Sequence, residues 1–219
     1  MSFIELQNIE KSFGKTQVLR GINLTIEAQE LVAIRGASGS GKSTLLYLLG
    51  GLDQPTKGKV LIDNKNLTSM DDTGLANFRN SHGGFVFQFH FLLPSMTCWD
   101  NILLPARIGG KESSQIEKDV LELSKILGVS HCLKKFPFEI SGGEQQRINV
   151  IRALSLRPKI LLCDEPTGNL DSKNSEIVIT LLKNLASDFK ATLLVVTHDD
   201  KVASYLPRKI VIEDGQIIG

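Results

Sequence analysis

Apolar and polar residues alternate along the first part of the chain in the manner of half-buried strands. Phe3 to Glu10 is the first such stretch, and Val18 to Ile26, marked by Leu19, Ile22, Leu24 and Ile26, is the second; together they predict an antiparallel start. Leu31 to Arg35 is a short apolar run expected to be a buried strand. It is followed by a glycine-rich turn, Gly36 to Gly41, and by a helix, Lys42 to Leu49, that carries Leu45, Leu46, Leu48 and Leu49. Pro55, Thr56, Lys57 and Gly58 turn the chain into a strand from Lys59 to Ile62, and Asp63 and Asn64 turn it again. Phe85, Val86 and Phe87 form a short apolar strand that stops at Gln88.

From Thr97 to Arg157 the period becomes helical. Ile116, Val120, Leu123 and Leu127 share a face that Gly128 closes, and a second helix starts near Gly143. Beyond Pro158 come two apolar strands, Ile160 to Cys163 and Thr192 to Val196, separated by an amphipathic helix from Ser172 to Asp188. The tail holds a strand at Ile210 to Ile212, a turn at Asp214 and Gly215, and a last strand running to Gly219. Strands alternating with helices predict an α/β fold with a parallel core. The expected organisation is one domain over 1–219. Its main core comprises 1–96 and 158–219, with an antiparallel β region at the N-terminal end, and 97–157 forms a helical subdomain. There is no internal repeat, low-complexity tract or linker.

Composition narrows the class. A chain of 219 residues buries about 70% of its unfolded surface and needs no staple. Hydrophobic residues at 42% and charged residues at 22% exclude a disordered or collagen-like chain. With 25 Lys and Arg against 24 Asp and Glu, no bulk positive charge exists to neutralise many phosphates, which argues against a nucleic-acid partner. Cys98, Cys132 and Cys163 stand at no metal-ligand spacing and read as reduced, packed thiols. Glu5 and Glu10 lie where an export signal needs a basic start and an apolar run, so no signal is expected. The apolar stretch Leu45 to Leu52 is broken by Gly50 and Gly51 and falls short of the ~20 residues of a membrane helix.

The chemistry concentrates in three places. Gly36, Ala37, Ser38, Gly39, Ser40, Gly41, Lys42, Ser43 and Thr44 read GASGSGKST, which satisfies GxxxxGK[ST] between a predicted strand and a predicted helix. Backbone N–H groups of such a turn converge on phosphates, the helix N-terminus adds its positive end, Lys42 neutralises the β- and γ-phosphates and the Ser43 hydroxyl serves Mg²⁺. This is a P-loop NTPase signature. Ile160 to Glu165 reads ILLCDE, a buried strand that delivers Asp164 and Glu165 at its carboxyl end, where open α/β sheets place ligands. Asp164 is the expected Mg²⁺ partner, and Glu165 the base that polarises the attacking water. Ser141, Gly142, Gly143, Glu144 and Gln145 read SGGEQ. They form either a capping box or a second anion mouth at a helix start, and the two roles are compatible.

With these motifs in this order, the chain resembles the ABC-type ATPase subunits over nearly its whole length. The resemblance implies that the SGGEQ-like signature of one copy closes over the γ-phosphate held by the loop of a second copy, so that two ATP molecules are sandwiched in a head-to-tail dimer. It further implies that Phe13 stacks on adenine, Gln88 contacts Mg²⁺ and the attacking water, Asp171 in GNLD bridges the dimer and His198 in THD holds the γ-phosphate. Phe13 stands where tyrosine is commoner, and Ile140 replaces the usual leucine. The strings LLYLLGGLDQPTKG, FQFHFLLP, DEPTGNLD and LLVVTHD are most similar to the lipoprotein-releasing branch. That branch implies two copies beneath integral membrane subunits, docked near Phe89, Phe91, Leu92 and Leu93, peripheral at the cytoplasmic face of a bacterial inner membrane. Macrolide-type export ATPases and the cell-division ATPase are the alternatives. A soluble DNA-repair or translation ATPase would need a basic face or tandem domains, neither of which the composition offers.

Overall fold

The structure, a computed structural model, describes residues 2–111, 113–168, 170 and 172–218, with the backbone alone at 172 and 173. Two long strands, β1 (Ile4–Phe13) and β2 (Thr16–Ile26), pair antiparallel across a two-residue turn. Their alternation places Ile4, Leu6, Ile9, Leu19, Ile22, Leu24 and Ile26 in the core. Then follow β3 (Leu31–Arg35), α1 (Lys42–Leu49), β4 (Lys57–Ile62), β5 (Lys65–Asn66), α2 (Asp72–His82) and β6 (Gly83–Phe87). The predicted helical stretch resolves into α3 (Cys98–Ile108), α4 (Ser114–Ile126) and α5 (Gly142–Leu154), with short 3₁₀ turns at Ser130–Cys132 and Pro137–Glu139. The chain ends on β7 (Ile160–Asp164), α6 (Ser172–Asp188), β8 (Thr192–Thr197), α7 (Asp200–Ser204), β9 (Arg208–Glu213) and β10 (Gln216–Ile217).

β2, β1, β4 and β5 form an antiparallel sheet in that order. β10, β9, β3, β8, β7 and β6 form a second sheet that is parallel from β9 to β6. Every residue of β7 and β8 is buried, because both faces of this sheet are covered and no position needs to be polar. Successive residues therefore serve two cores. Ile160, Leu162, Leu194 and Val196 face α1 and the antiparallel sheet, whereas Leu161, Cys163, Leu193 and Val195 join the helices α3 to α7. Helix α1 lies between the two sheets, which is why Leu45, Leu46, Leu48 and Leu49 are all buried. At ~1.5–3 kcal/mol for each fully buried aliphatic side chain, these layers hold the carboxyl ends of β3, β7 and β8 in one place.

Several boundaries differ from expectation. Helix α2 was not foreseen: Asp71 caps it through Gly74 N–H at 2.7 Å, but only Leu75, Phe78 and His82 face inward and its DDTG opening reads as a turn. The last strand is Gln216–Ile217 and Gly219 lies outside the described residues. The end of α4 is as predicted. Gly128 takes φ 67°, its N–H reaches Lys125 O at 3.0 Å and Val129 N–H reaches Ser124 O at 2.9 Å, the paired bonds of a Schellman stop.

Candidate functional site

The loop between β3 and α1 owes its shape to its glycines. Gly36 sits at φ 152°, where a Cβ would meet the Ile212 carbonyl oxygen at 2.1 Å, and Gly41, the residue before α1, takes a left-handed φ of 101°. The turn is thus pressed between its neighbours and opens directly onto the helix N-terminus. Lys42 is buried and donates from Nζ to Ala37 O at 2.8 Å, so its charge lies across the loop rather than in solvent. Val18, Ser38, Gly39, Gly41, Lys42, Ser43, Thr44, Gln88, Glu165 and His198 line a cavity of about 660 Å³. Six of the nine loop residues, Lys42 among them, therefore share one cavity wall with the three other predicted catalytic groups, Gln88, Glu165 and His198.

The acids arrive from β7. Asp164 Oδ1 accepts from Ser43 Oγ at 2.8 Å and Oδ2 accepts from the Tyr47 hydroxyl at 2.9 Å. Burial, reinforced by this bond to a carboxylate, pushes the Tyr47 phenol up to about 12, so it donates throughout the physiological range. Glu165 stands at φ 46°, a left-handed conformation that costs a non-glycine residue ~1 kcal/mol or more and turns its side chain out of the strand line. Its backbone N–H still bonds Val196 O at 3.0 Å. Its carboxylate accepts from Thr197 Oγ1 at 3.2 Å, from the His198 backbone N–H at 2.9 Å and from His198 Nδ1–H at 2.7 Å. The end of β8 thereby orients the carboxylate that the end of β7 supplies, and the His198 ring keeps Nε2 for another partner.

Phe13 lies outside this cavity, half exposed near the β1–β2 turn, with Lys11 Nζ 4.8 Å from its ring centre. Gln88 is on the cavity wall, and the Gly168 backbone approaches it so closely that a Cβ there would lie 2.9 Å from its Nε2. Asp171 lies outside the described residues.

The second mouth is elsewhere. Ser141 precedes α5 and forms a capping box: Glu144 N–H reaches Ser141 Oγ at 3.4 Å, while Glu144 Oε2 accepts from Ser141 N–H at 2.8 Å and from its Oγ at 2.6 Å. These bonds from Ser141, with one from His131, hold the Glu144 carboxyl down to about 2. Ser141 and Gly142 are exposed, no atom would meet a Cβ at Gly142, and none of Ser141 to Glu144 lines the cavity.

A third feature lies toward the other end of α5. Arg152 donates to His90 O at 2.7 Å and to Phe91 O at 2.8 Å, which holds the 89–91 backbone so that Phe89 and Phe91 project outward. Leu92 turns inward against the helical core. Phe91, Phe85, Phe87, Leu104, Pro105 and Ile108 line an apolar groove of about 440 Å³ between α2 and α3.

The profile of the ABC transporter family matches residues 19–168. The chain belongs to that family. This ABC cassette is 44% identical over 221 residues, covering 99% of this chain and 98% of the relative, to the lipoprotein-releasing system ATP-binding protein LolD of Geobacter metallireducens. It is 44% identical over 215 residues to the protein of that name from Bacteroides fragilis, covering 98% and 100%. The dimeric structure of the ABC transporter cassette MJ0796 superposes with a TM-score of 0.91 at 40% identity, covering 99% of this chain and 97% of that one. A dimeric post-hydrolysis state of MJ0796, bound to ADP and Pi, gives 0.90 at 39% identity over the same shares. Two residues that hydrogen-bond the candidate acids, Tyr47 and Thr197, were left unassigned by sequence reasoning. Tyr47 lies four residues after Ser43, one helical turn along the same face, and that spacing was readable. Thr197 precedes His198, but its bond to Glu165 depends on two strands meeting.

Proposed function

We propose that this chain is the ATP-hydrolysing subunit of a bacterial lipoprotein-releasing ABC transporter, working as a pair of copies beneath integral membrane subunits. The observation that carries the proposal is the placement of Ser43 and Glu165 on one cavity wall, with Asp164 hydrogen-bonded to Ser43 behind it, in a chain similar from end to end to lipoprotein-releasing ATP-binding proteins. The loop amides and Lys42 bind the phosphates, and Phe13 stacks on the adenine. Ser43 and Asp164 present oxygen donors 2.8 Å apart, with Gln88 on the same wall, a hard donor set that suits Mg²⁺. When bound there, the ion neutralises phosphate charge. Glu165 takes the proton of the attacking water, oriented by Thr197 and His198, and His198 turns its free Nε2 toward the γ-phosphate.

Ser141, Gly142, Gly143 and Glu144 act on the ATP of the other copy, since this turn lies outside the chain's own cavity; Asp171 bridges the two copies. The MJ0796 cassettes are dimers, in keeping with this division. The groove beside Phe91 receives the membrane subunit, together with the exposed Phe89 and Leu93; Leu92 anchors this segment to the helical core. No described helix is long and apolar enough to cross a membrane, so attachment to the inner membrane at its cytoplasmic face runs through that partner.

Reconstitution with the native membrane subunits in vesicles loaded with a lipoprotein tests the proposal. ATP-dependent transfer of the lipoprotein to a soluble acceptor is expected. ATP hydrolysis without transfer would overturn the cargo assignment and return the export and cell-division branches.

A further inference from the structure

Beside the first turn of α5, three groups of different chemistry converge. His131 Nε2 lies 2.8 Å from Glu144 Oε1, Cys132 Sγ lies 3.5 Å from the same oxygen, and Cys132 Sγ and His131 Nε2 are 3.4 Å apart. Glu144 Oε2 is taken by Ser141, so Oε1 is the oxygen turned toward this triangle. Nothing in the ATPase site uses His131 or Cys132. We propose that His131, Cys132 and Glu144 form a Zn²⁺ site that ties the 130–132 turn to the start of α5.

The geometry suits an ion of that size. With separations of 2.8, 3.4 and 3.5 Å, a point about 2.0–2.3 Å from all three atoms, the range of Zn–O, Zn–N and Zn–S bonds, lies just off the plane of the triangle. The mixed imidazole, thiolate and carboxylate set favours a borderline ion over Mg²⁺ or Ca²⁺, which take oxygen ligands. The His131 side chain is 57% exposed, which gives the ion a route in, whereas Cys132 is fully buried. Burial and the neighbouring Glu144 raise the Cys132 thiol to about 11. Binding therefore exchanges the thiol proton for the metal, with release of that proton to solvent and tighter binding as pH rises. Because Oε2 stays on Ser141, the ion braces the signature turn without uncapping it.

The reduced, nucleotide-free full chain, titrated with Co²⁺ as a spectroscopic probe and then with Zn²⁺, tests the site. One ion per chain is expected, with a thiolate-to-cobalt charge-transfer band that Zn²⁺ bleaches. Cys132→Ser should abolish the band. His131→Gln, at an exposed position that leaves folding intact, should weaken Co²⁺ binding by about tenfold or more, since even outer-shell partners act on that scale. Zn²⁺ should raise the thermal midpoint of the native chain and leave that of Cys132→Ser unmoved. Absence of the band in the native chain, or a band of unchanged strength and affinity in either variant, would overturn the proposal.

Discussion

Helices α1 and α5 both start at glycines, and their N-termini are finished in opposite ways. At the start of α1, the loop is pressed between β2 and β9 by Gly36 and Gly41, Lys42 is folded across it, and Asp164 and Glu165 approach from β7. At the start of α5, Ser141 and Glu144 satisfy each other, and the glycines between them meet almost nothing. The first is held by long-range contacts and brings its own acid; the second is capped by bonds within four residues, with His131 added behind Glu144, and faces outward. A helix N-terminus favours an anion in both cases. What differs is whether the rest of the same chain supplies the chemistry, and only at α1 does it do so.

The sharpest way to break this contrast is to remove the acid. Glu165→Gln keeps the hydrogen-bonding shape near Thr197 and His198 but cannot take a proton; steady-state ATP turnover should fall by about 10²–10⁴ with nucleotide binding retained. Unchanged turnover would deny α1 its catalytic completeness. Next in size, Lys42→Ala should weaken ATP binding itself by at least about tenfold, the loss of a charge-assisted phosphate contact, as read by nucleotide titration. A bulky residue at the other mouth, Gly143→Leu, should leave ATP binding by the single chain near normal while turnover and ATP-dependent dimer formation, followed by light scattering, are lost together. Loss of binding instead would mean that the two mouths are not separate.

The remaining effects concern the local wiring. Ser141→Ala should destabilise the chain by ~0.5–2 kcal/mol through loss of the cap, seen as a lower denaturation midpoint. The capping carboxylate also sets a pH signature. Glu144 is lowered from 4.5 in the unfolded chain to about 2 when folded, so its contribution is complete above the unfolded value and disappears as pH falls through the folded one. The Glu144→Gln chain should accordingly lose less stability than the native chain between about pH 5 and 2. Smallest of all, Tyr47→Phe removes one donor from Asp164 and should cost ~0.5–1.5 kcal/mol of stability at neutral pH, with the phosphate loop intact.

How much of this could be read in advance depends on the range of the interaction. The uninterrupted apolar run at β7 and the one at β8 announce strands covered on both faces. GASGSGKST marks a turn that needs glycine geometry and ends in a helix, and α1 falls on the predicted residues. Helix α2 escaped because only Leu75 and Phe78 carry its apolar face. Helix α7 escaped because five residues cannot display a period. The His131, Cys132 and Glu144 cluster escaped for a different reason: its third member is twelve residues further on, and a 3₁₀ turn has to fold back onto α5 before the three meet.

By itself, then, the order of residues determined the parallel core, the glycine-rich loop before α1, the pair of acids at the end of β7 and the capped turn before α5, because each rests on local periodicity, backbone freedom or bonds between near neighbours. Tertiary structure alone decided that Tyr47 and Ser43 divide the two oxygens of Asp164, that Thr197 and His198 aim Glu165, and that the signature lies outside the cavity. Those facts depend on how sheets stack and where strand ends coincide, distances that no pattern within one segment encodes.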